Sequence, residues 1–334
     1  PGTAGGPPWQ LLLDTARPTD GDTEALALGT SYELAGRSLV LLCQSGEEWA
    51  VQYGRSNTPE IAPPLAPLLG GPTPEQRTIS GTVVTIASFS SPQLDNQRDI
   101  LVYLPPGYDE GNARYPVLYA QDGQNLFDEA TSFGDEWAID ETMQALAAHN
   151  IEAIVVGIPN MGARRLEEYS PFVDAEHGGG QGDAYLAFVA ETLKPHIDRS
   201  FRTQTEPAAT ILLGSSMGGL IALYGVVQRP EIFGTAIVLS PALWFADSAI
   251  LPVIEQAAPP RGRIYLDVGT DEGENTLAHT RRLRELLLAR GMSRDEQLRY
   301  HEALGDTHSE AAWASRIGDA LIWVLGANNT GAAA

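Results

Sequence analysis

A serine with a glycine two residues away on either side is the strongest chemical signal in the sequence. Residues 214–218 read Gly-Ser-Ser-Met-Gly, with an apolar run at 210–213 before them and a helical pattern after them. A sharp turn from a strand into a helix strains the backbone and exposes the serine hydroxyl, and glycines relieve the crowding around it. The spacing predicts that Ser216 is a nucleophile at a helix N-terminus. There the N–H of Met217 and the helix dipole stabilise an oxyanion.

A base must accept the proton of Ser216, and the chain contains six histidines. His149 and His196 end amphipathic helical patterns, where a cation interacts favourably with the helix dipole, which favours structural roles. His308 follows the last predicted strand and precedes the last predicted helix. The base occupies this position in hydrolases whose triad follows the chain order serine, acid, histidine. His308 is therefore the predicted general base.

The acid that orients this histidine is expected in the loop after the penultimate strand. The strand pattern at 263–268 is followed by Gly-Thr-Asp-Glu-Gly-Glu at 269–274. Asp267 lies inside the strand, which is too early for this role. Asp271 and Glu272 are adjacent, and their spacing alone does not separate them. At this point the residues predict a triad that contains one of these two carboxylates.

A second oxyanion donor is expected in the loop after the third strand. The apolar run at 117–121 leads into Asp122, Gly123, Gln124 and Asn125. A glycine allows the backbone to bend close to a bound carbonyl oxygen. The N–H of Gln124, directly after that glycine, is the predicted second donor.

Alternating strands and helices must position these residues. Strand-like apolar runs occur at 99–104, 117–121, 151–158, 210–213, 235–239, 263–268 and 298–301, and helical patterns occur at 139–149, 184–196, 220–227, 277–290 and 310–325. The run Ile-Val-Val-Gly-Ile is apolar on both faces, as in strands buried between two helical layers. The pattern predicts an α/β fold, a doubly wound and mostly parallel sheet with its ligand site beyond the carboxyl ends of the strands.

The first part of the chain has a different composition and a different pattern of apolar residues. Residues 9–55 contain short β-prone runs punctuated by Gly, Asp and Pro, and show no useful helical period. A proline-rich stretch at 57–74 follows, which cannot continue a helix or occupy a central strand. We therefore predict a small N-terminal β-rich domain with its linker at 1–78 and the α/β domain at 79–330.

The composition excludes several classes of partner. The chain carries 43 Asp and Glu against 21 Lys and Arg, a net charge of −22, which opposes binding to nucleic acid and to anionic membrane surfaces. A single cysteine excludes an intrachain disulfide and a thiolate metal cluster. No apolar run reaches the roughly 20 residues that cross a bilayer. Neither the compartment nor the oligomeric state follows from these numbers.

Five motifs in order carry a resemblance to a known family. They are Asp-Gly-Gln-Asn-Leu-Phe-Asp at 122–128, Gly-Asp-Glu-Trp at 134–137, the serine motif at 214–219, Ser-Pro-Ala-Leu-Trp at 240–244 and His-Ser-Glu-Ala-Ala-Trp at 308–313. Over residues 80–326 the chain resembles the putative-esterase family of the α/β-hydrolase fold, which includes esterase D, feruloyl and acetyl xylan esterases, enterochelin esterases and mycolyltransferases. The resemblance implies serine-dependent hydrolysis of a carboxylic ester without a metal or a cofactor.

The resemblance also bears on individual residues. The family often carries its acid as Gly-Thr-x-Asp or Gly-Thr-x-Glu, which implies Glu272 rather than Asp271. Its oxyanion loop commonly begins after a histidine, whereas this chain has Gln121. We expect the substrate side to be lined by a further set of residues: Asp122, Asn125, Glu168, Tyr169 and Trp244. The adjacent arginines 164 and 165 are expected either to attract an anionic acyl group or to form surface ion pairs.

Several functions fit this resemblance. The leading prediction is an esterase for small acyl or aryl esters of alcohols, including sugars. A net charge of −22 favours neutral esters over polyanionic ones. The alternatives are a trilactone siderophore esterase and a non-catalytic carbohydrate-binding protein with the same fold. Residues 9–78 lie outside the resemblance and are faintly similar to a starch-binding-type β-sandwich through Trp49, Tyr53 and Arg55, so carbohydrate is a candidate partner. The favoured interpretation of this segment is a packing domain that covers or shapes the active-site rim.

Overall fold

The computed structural model describes residues 9–14, 25–26, 40–44, 77–258 and 261–326. Contacts divide the chain into two compact units, Pro1–Leu65 and Ala66–Ala334. In the first unit, β1 (Trp9–Asp14) pairs antiparallel with both β2 (Ala25–Leu26) and β3 (Val40–Gln44). Trp49, Tyr53 and Arg55, on which the carbohydrate prediction depends, lie outside the described residues.

The second unit is built around a sheet that has eight strands within the described residues. In chain order these strands are β4 (Thr82–Ser91), β5 (Asn96–Leu104), β6 (Val117–Gln121), β7 (Ile154–Ile158), β10 (Thr210–Ser215), β11 (Thr235–Leu239), β12 (Arg263–Gly269) and β13 (Leu298–Ala303). Their spatial order is β13-β12-β11-β10-β6-β7-β5-β4. The six strands from β13 to β7 run parallel, β5 pairs antiparallel with β7, and β4 pairs antiparallel with β5. The predicted α/β fold with a mostly parallel sheet is confirmed.

Two small strands and the helices complete this unit. The strands β8 (Val173–Asp174) and β9 (Gly178–Gly179) form a hairpin. The helices are α1 (Ile139–Ala147), α2 (Arg165–Glu168), α3 (Gly182–Ala187), α4 (Lys194–Ser200), α5 (Met217–Gln228), α6 (Phe245–Ser248), α7 (Ile250–Gln256), α8 (Glu274–Ala289) and α9 (Glu310–Gly326). Within the described ranges, no helix combines the length and the apolar character needed to span a bilayer.

The sheet separates two hydrophobic cores. One contains the inward faces of α3, α4, α5, α7 and α8, and the other contains those of α1 and α9. Strands β6, β7, β10 and β11 are buried along their whole length, because helices cover both of their faces. Every residue of α5 except Gln228 is buried, so the helix behind the serine is held by packing on all sides.

Two elements differ from the sequence patterns for physical reasons. Strand β4 was not predicted because its residues are mostly exposed at the sheet edge and lack a continuous apolar face. The predicted helix at 184–196 is divided into α3, a π-helical segment at Phe188–Leu193, and α4. Pro195 has no N–H to donate to the preceding turn, and wider π turns accommodate such an interruption.

The sheet order locates the ligand site. From β6 the chain continues to β7 on one side and later returns to β10 on the other side. Loops that leave the carboxyl ends of β6 and β10 therefore diverge and leave a crevice between them. The loop that begins at Asp122 and the turn that contains Ser216 both border this crevice.

Candidate active site

Ser216 occupies a strained turn between β10 and α5. Its φ of 52° and ψ of −119° lie outside the regions that L-residues favour. The N–H of Ser216 donates to the carbonyl of Leu239, and the N–H groups of Leu220 and Ala242 donate to the carbonyl of Ser216. A Cβ atom at Gly214 would lie 2.4 Å from the backbone of Gly218. These contacts explain the glycines and hold the serine at the N-terminus of α5.

His308 and Glu272 form a hydrogen-bonded pair at the carboxyl edge of the sheet. The Nδ1 atom of His308 lies 2.8 Å from Oε2 of Glu272. The Glu272 side chain is fully buried, whereas that of His308 is 40% exposed. Burial raises the pKa of Glu272, but hydrogen bonds from His308, from the Ser240 hydroxyl and from the Gly269 N–H outweigh it and hold the pKa below its usual value. Glu272 is therefore ionised at neutral pH and favours a proton on Nδ1 of the imidazole.

Asp271, the other carboxylate left open by spacing, has different surroundings. Its residue is exposed, and its backbone N–H donates to the carbonyl of Asp306. The side chain accepts only a long contact of 3.5 Å from the Thr270 hydroxyl among the described bonds. The geometry thus brings Glu272, and not Asp271, to His308.

The loop after β6 is compressed against β7. Asp122 has a φ of 53°, and a short 3₁₀ turn at Gly123–Asn125 follows it. A Cβ atom at Gly123 would lie 2.5 Å from the backbone of Gly157 in β7, so only glycine fits here. The Tyr169 hydroxyl accepts the N–H of Asp122 at 3.0 Å. The backbone around Gln124 is therefore fixed before any substrate binds.

Side-chain contacts of Gln124 and Gln121 hold the same loop. Oε1 of Gln124 accepts the N–H of Asn160 at 3.1 Å, and the carbonyl of Gln124 accepts the Thr131 hydroxyl at 2.7 Å. Oε1 of Gln121, the residue before Asp122, accepts the hydroxyl of Tyr185. The amide thus supplies a buried polar contact beneath the loop.

The proposed nucleophile and base lie at a pocket of about 770 Å³. Ser216 and His308 line it together with Asp122, Gln124, Asn125, Phe133, Pro159, Asn160, Gly162, Arg165, Ser215, Glu310 and Trp313. Met217 is buried as the first residue of α5, directly after the serine. The first N–H groups of a helix have no intrahelical partners, so that end of α5 offers donors beside Ser216.

The described lining of the pocket contains one guanidinium and two carboxylates. Arg165 donates from Nε and Nη2 to the two carboxylate oxygens of Asp122, both at 2.8 Å, and the Asn160 amide donates to the same carboxylate at 2.7 Å. Glu310 adds a further carboxylate, whose pKa is raised by burial and by the nearby charge of Asp122. Arg164 instead contacts Glu167 at 3.6 Å on the surface.

Three residues expected to line the substrate side lie elsewhere. Glu168 is fully buried and forms an ion pair of 2.9 Å with Arg98. Tyr169 is fully buried behind the loop that it supports. Trp244 is 44% exposed, but it lines a separate surface depression formed with the hairpin of β8 and β9. Asp122 and Asn125, from the same expectation, do line the pocket.

Sequence reasoning missed the residues that hold Glu272. Ser240 donates its hydroxyl to Oε1 of Glu272 at 2.5 Å, and Arg316 contacts both Glu272 and Asp267. Burial raises the pKa of Asp267 to about 6, since Arg316 offsets only part of the desolvation. The available signal was Asp267 itself, because a carboxylate inside a buried strand requires a partner.

One acidic cluster lies away from the pocket. Carboxylate oxygens of Glu136, Asp140 and Glu141 lie within 4.8 Å of one another. Burial, together with the charge of Glu141, raises the pKa of Asp140 to about 8. The Ser80 N–H donates to Asp140 at 2.6 Å, which ties the start of the α/β unit to α1.

The family model described as "putative esterase" matches residues 91–324. The chain belongs to this family. It is therefore a carboxylic ester hydrolase, and the predicted family, fold and enzyme class are confirmed.

Several known proteins are similar to this chain. YbbA of Bacillus subtilis is 26% identical over 256 residues, which is 73% of this chain and 98% of YbbA. The ferri-bacillibactin esterase BesA of the same organism is 28% identical and covers 54% of this chain and 65% of BesA. A solved ferulic acid esterase has a TM-score of 0.56 at 17% identity, covering 74% of this chain and 99% of that one. At this level of identity, the similarity to the ferulic acid esterase shows a shared fold and nothing more.

Proposed function

We propose that the chain hydrolyses its esters through a triad of Ser216, His308 and Glu272. The observation that carries this proposal is the geometry at the pocket. Ser216, strained at the N-terminus of α5, shares one pocket with His308, and Nδ1 of His308 lies 2.8 Å from the buried carboxylate of Glu272. A nucleophile, a base and an ionised group that orients the base are the three parts of serine hydrolase chemistry.

The reaction follows from these roles. With Nδ1 protonated and bonded to Glu272, Nε2 of His308 accepts the proton of Ser216 as its oxygen attacks the ester carbonyl. The negative charge on the tetrahedral intermediate is stabilised by the N–H groups of Met217 and Gln124. His308 then protonates the departing alcohol, leaving an acyl group on Ser216. A water molecule deprotonated by His308 attacks this acyl-enzyme and releases the acid.

The substrate we propose is a neutral ester of a small acyl or aryl acid. Support comes from the charge of the pocket, where the guanidinium of Arg165 is bonded twice to Asp122 and Glu310 adds a carboxylate. An anionic acyl group would meet a negative field with no uncommitted permanent cation among the lining residues described. The apolar side chains of Phe133, Pro159 and Trp313 suit an alkyl or aryl group.

A pair of matched esters tests this charge preference. We expect kcat/KM for 4-nitrophenyl propionate to exceed that for mono-4-nitrophenyl succinate by about 10-fold, since one like charge nearby costs at least about 1 kcal/mol. Glu310→Gln removes a pocket carboxylate and should lower the ratio of the two kcat/KM values at least about threefold. Glu255→Gln, an exposed change on α7, serves as the control and should leave the ratio unchanged. Equal or faster hydrolysis of the succinate by the unmodified protein would contradict the preference.

A trilactone siderophore is the second candidate substrate. The similarity to the ferri-bacillibactin esterase BesA favours it. A direct comparison of 4-nitrophenyl acetate, methyl ferulate and ferric enterobactin separates the two candidates by their kcat/KM values. We expect the two neutral esters to be preferred, and a dominant rate with the anionic siderophore would reverse the ranking. Membership of an esterase family weighs against the non-catalytic carbohydrate-binding alternative.

We further propose that residues 1–78 form an accessory domain with its linker and that 79–330 carry catalysis. The family match begins only at residue 91, which supports this division. The linker end is anchored, since Arg77 donates to Asp128 at 2.6 Å and the Thr78 hydroxyl donates to Glu136 at 2.6 Å. Retention of the whole chain on insoluble polysaccharide, compared with a chain lacking 1–65, tests whether carbohydrate is a partner.

A further inference from the structure

A buried arginine lies behind the acid of the proposed triad. Arg316, on the inner face of α9, has a side chain that is only 5% exposed. Its Nε donates to Asp267 at 2.9 Å, its Nη1 donates to Asp306 at 2.9 Å, and its Nη2 lies 3.4 Å from Oε1 of Glu272. One guanidinium thus connects the end of β12, the loop that carries Glu272 and the loop that carries His308.

Arg316 also determines the charge balance of this region. The side chains of Asp267 and Glu272 are both fully buried, and each is within 3.4 Å of the guanidinium. Two buried carboxylates without a cation would repel each other, and one would take up a proton. Arg316 therefore favours the ionised form of Glu272, which is the form that orients His308.

The O–H of Ser240 can donate its hydrogen to only one of its described neighbours. A serine oxygen carries one hydrogen and two acceptor positions. Nη2 of Arg316 donates to it at 2.8 Å and Nε1 of Trp313 donates to it at 3.0 Å, so both acceptor positions are occupied. The remaining hydrogen points to Oε1 of Glu272, which lies 2.5 Å away.

The same contacts leave one carboxylate oxygen of Glu272 for the histidine. Oε1 accepts from Ser240 and from the Gly269 N–H at 2.7 Å, while Oε2 faces Nδ1 of His308. Trp313, which donates to Ser240, also contacts the imidazole in a T-shaped arrangement, with ring centroids 4.9 Å apart. The carboxylate and the imidazole are thus oriented by one connected set of side chains.

We propose that Arg316 and Ser240 are positioning residues that fix the orientation and charge of Glu272, so that its Oε2 holds the imidazole of His308. This role rests on the proposed triad. Neither residue touches the substrate: both are buried, and both act through Glu272. Their loss should therefore lower kcat and leave KM nearly constant, because the ground-state contacts of the ester do not change.

Three variants separate geometry from charge. Ser240→Ala removes one donor to Glu272, Arg316→Lys keeps the charge but cannot span Asp267, Asp306 and Glu272 together, and Arg316→Gln removes the charge. Side chains that hydrogen-bond to metal ligands and orient them typically contribute about 10-fold or more to activity. By analogy, each of these variants should lower kcat about 10-fold or more and change KM less than about twofold. The fluorophosphonate adduct on Ser216 should still form in each, only more slowly.

The pH profile gives a readout that a purely structural role would not move. His308 must be neutral to act as the base, so kcat/KM should rise with pH along an acid limb. Arg316→Gln removes the cation beside Asp267 and Glu272 and so changes the charge next to the imidazole, and this acid limb should move by about 0.5 pH unit. Arg316→Lys should keep the limb in place. The control Arg281→Gln removes an exposed arginine paired with Glu302 and should change neither kcat nor the limb.

The outcomes are distinguishable. If the unmodified protein gives no adduct on Ser216, the triad itself is wrong. If it is labelled, but Ser240→Ala and Arg316→Lys keep full kcat with unchanged thermal unfolding, the positioning role is overturned. Should Arg316→Gln fail to fold because Asp267 is left unpaired, the other two variants still decide the question.

Discussion

Ser216→Ala is expected to lower kcat/KM by at least about 10⁴-fold, because removing the nucleophile of a serine hydrolase leaves only binding and oxyanion stabilisation. The effect should appear in kcat with 4-nitrophenyl acetate at saturating substrate. Ser216 lies at a strained turn whose contacts are made by its backbone N–H and carbonyl, so the variant keeps them. We expect the variant to fold and to unfold at a temperature close to that of the unmodified protein, because alanine keeps these backbone contacts.

The neighbouring serine provides a matched control. Ser215 is the last residue of β10 and carries the same hydroxyl one position away. Ser215→Ala should lose less than about 10-fold in kcat/KM, as expected for a lining residue that takes no part in bond formation. A fall as large as that of Ser216→Ala would show that the two serines had been assigned the wrong way round.

Glu272→Gln is the second change with a large expected effect. An amide in place of the carboxylate no longer favours a proton on Nδ1 of His308 and no longer stabilises the imidazolium. The corresponding loss in kcat reaches about 10⁴-fold in a serine protease whose acid is replaced by its amide. The acid limb of kcat/KM should also move to lower pH, because the imidazolium that forms loses the stabilising negative charge 2.8 Å away.

Asp271→Asn separates the two adjacent carboxylates. Its residue is exposed, and among the described contacts the imidazole pairs with Glu272 instead. We expect kcat within about twofold of the original value, as for surface changes away from the chemistry. The reverse ranking, with Asp271→Asn the more damaging variant, would reassign the acid.

The sequence predicted the parts of this molecule that local patterns determine. Buried strands such as β6 and β7 are continuous apolar runs, and the turn at Ser216 follows from its glycines, so the α/β fold was evident from periodicity and motif. Strand β4 was missed because its exposed residues carry no such pattern. An edge strand is determined by pairing with its neighbour, which periodicity does not record.

The surroundings of the pocket depend on long-range contacts that spacing does not show. Glu168 ends α2 and Tyr169 follows it, but only the packed structure shows that both are buried while Arg165 faces the pocket. Trp244 lies a few residues beyond Ser240, yet it packs against His177 with ring centroids 5.4 Å apart and so faces another depression. Arg316 and Asp267 meet across 49 positions of sequence, and their pairing required the fold.

Mass spectrometry after treatment with a fluorophosphonate tests most directly whether Ser216 is the nucleophile that forms a covalent acyl-enzyme. We predict a single adduct on the peptide that contains Ser216. It should be absent after Ser216→Ala and much slower to form after His308→Ala, because the base activates the serine. An unlabelled Ser216 in protein that hydrolyses 4-nitrophenyl acetate, or an adduct on another residue, would contradict the account.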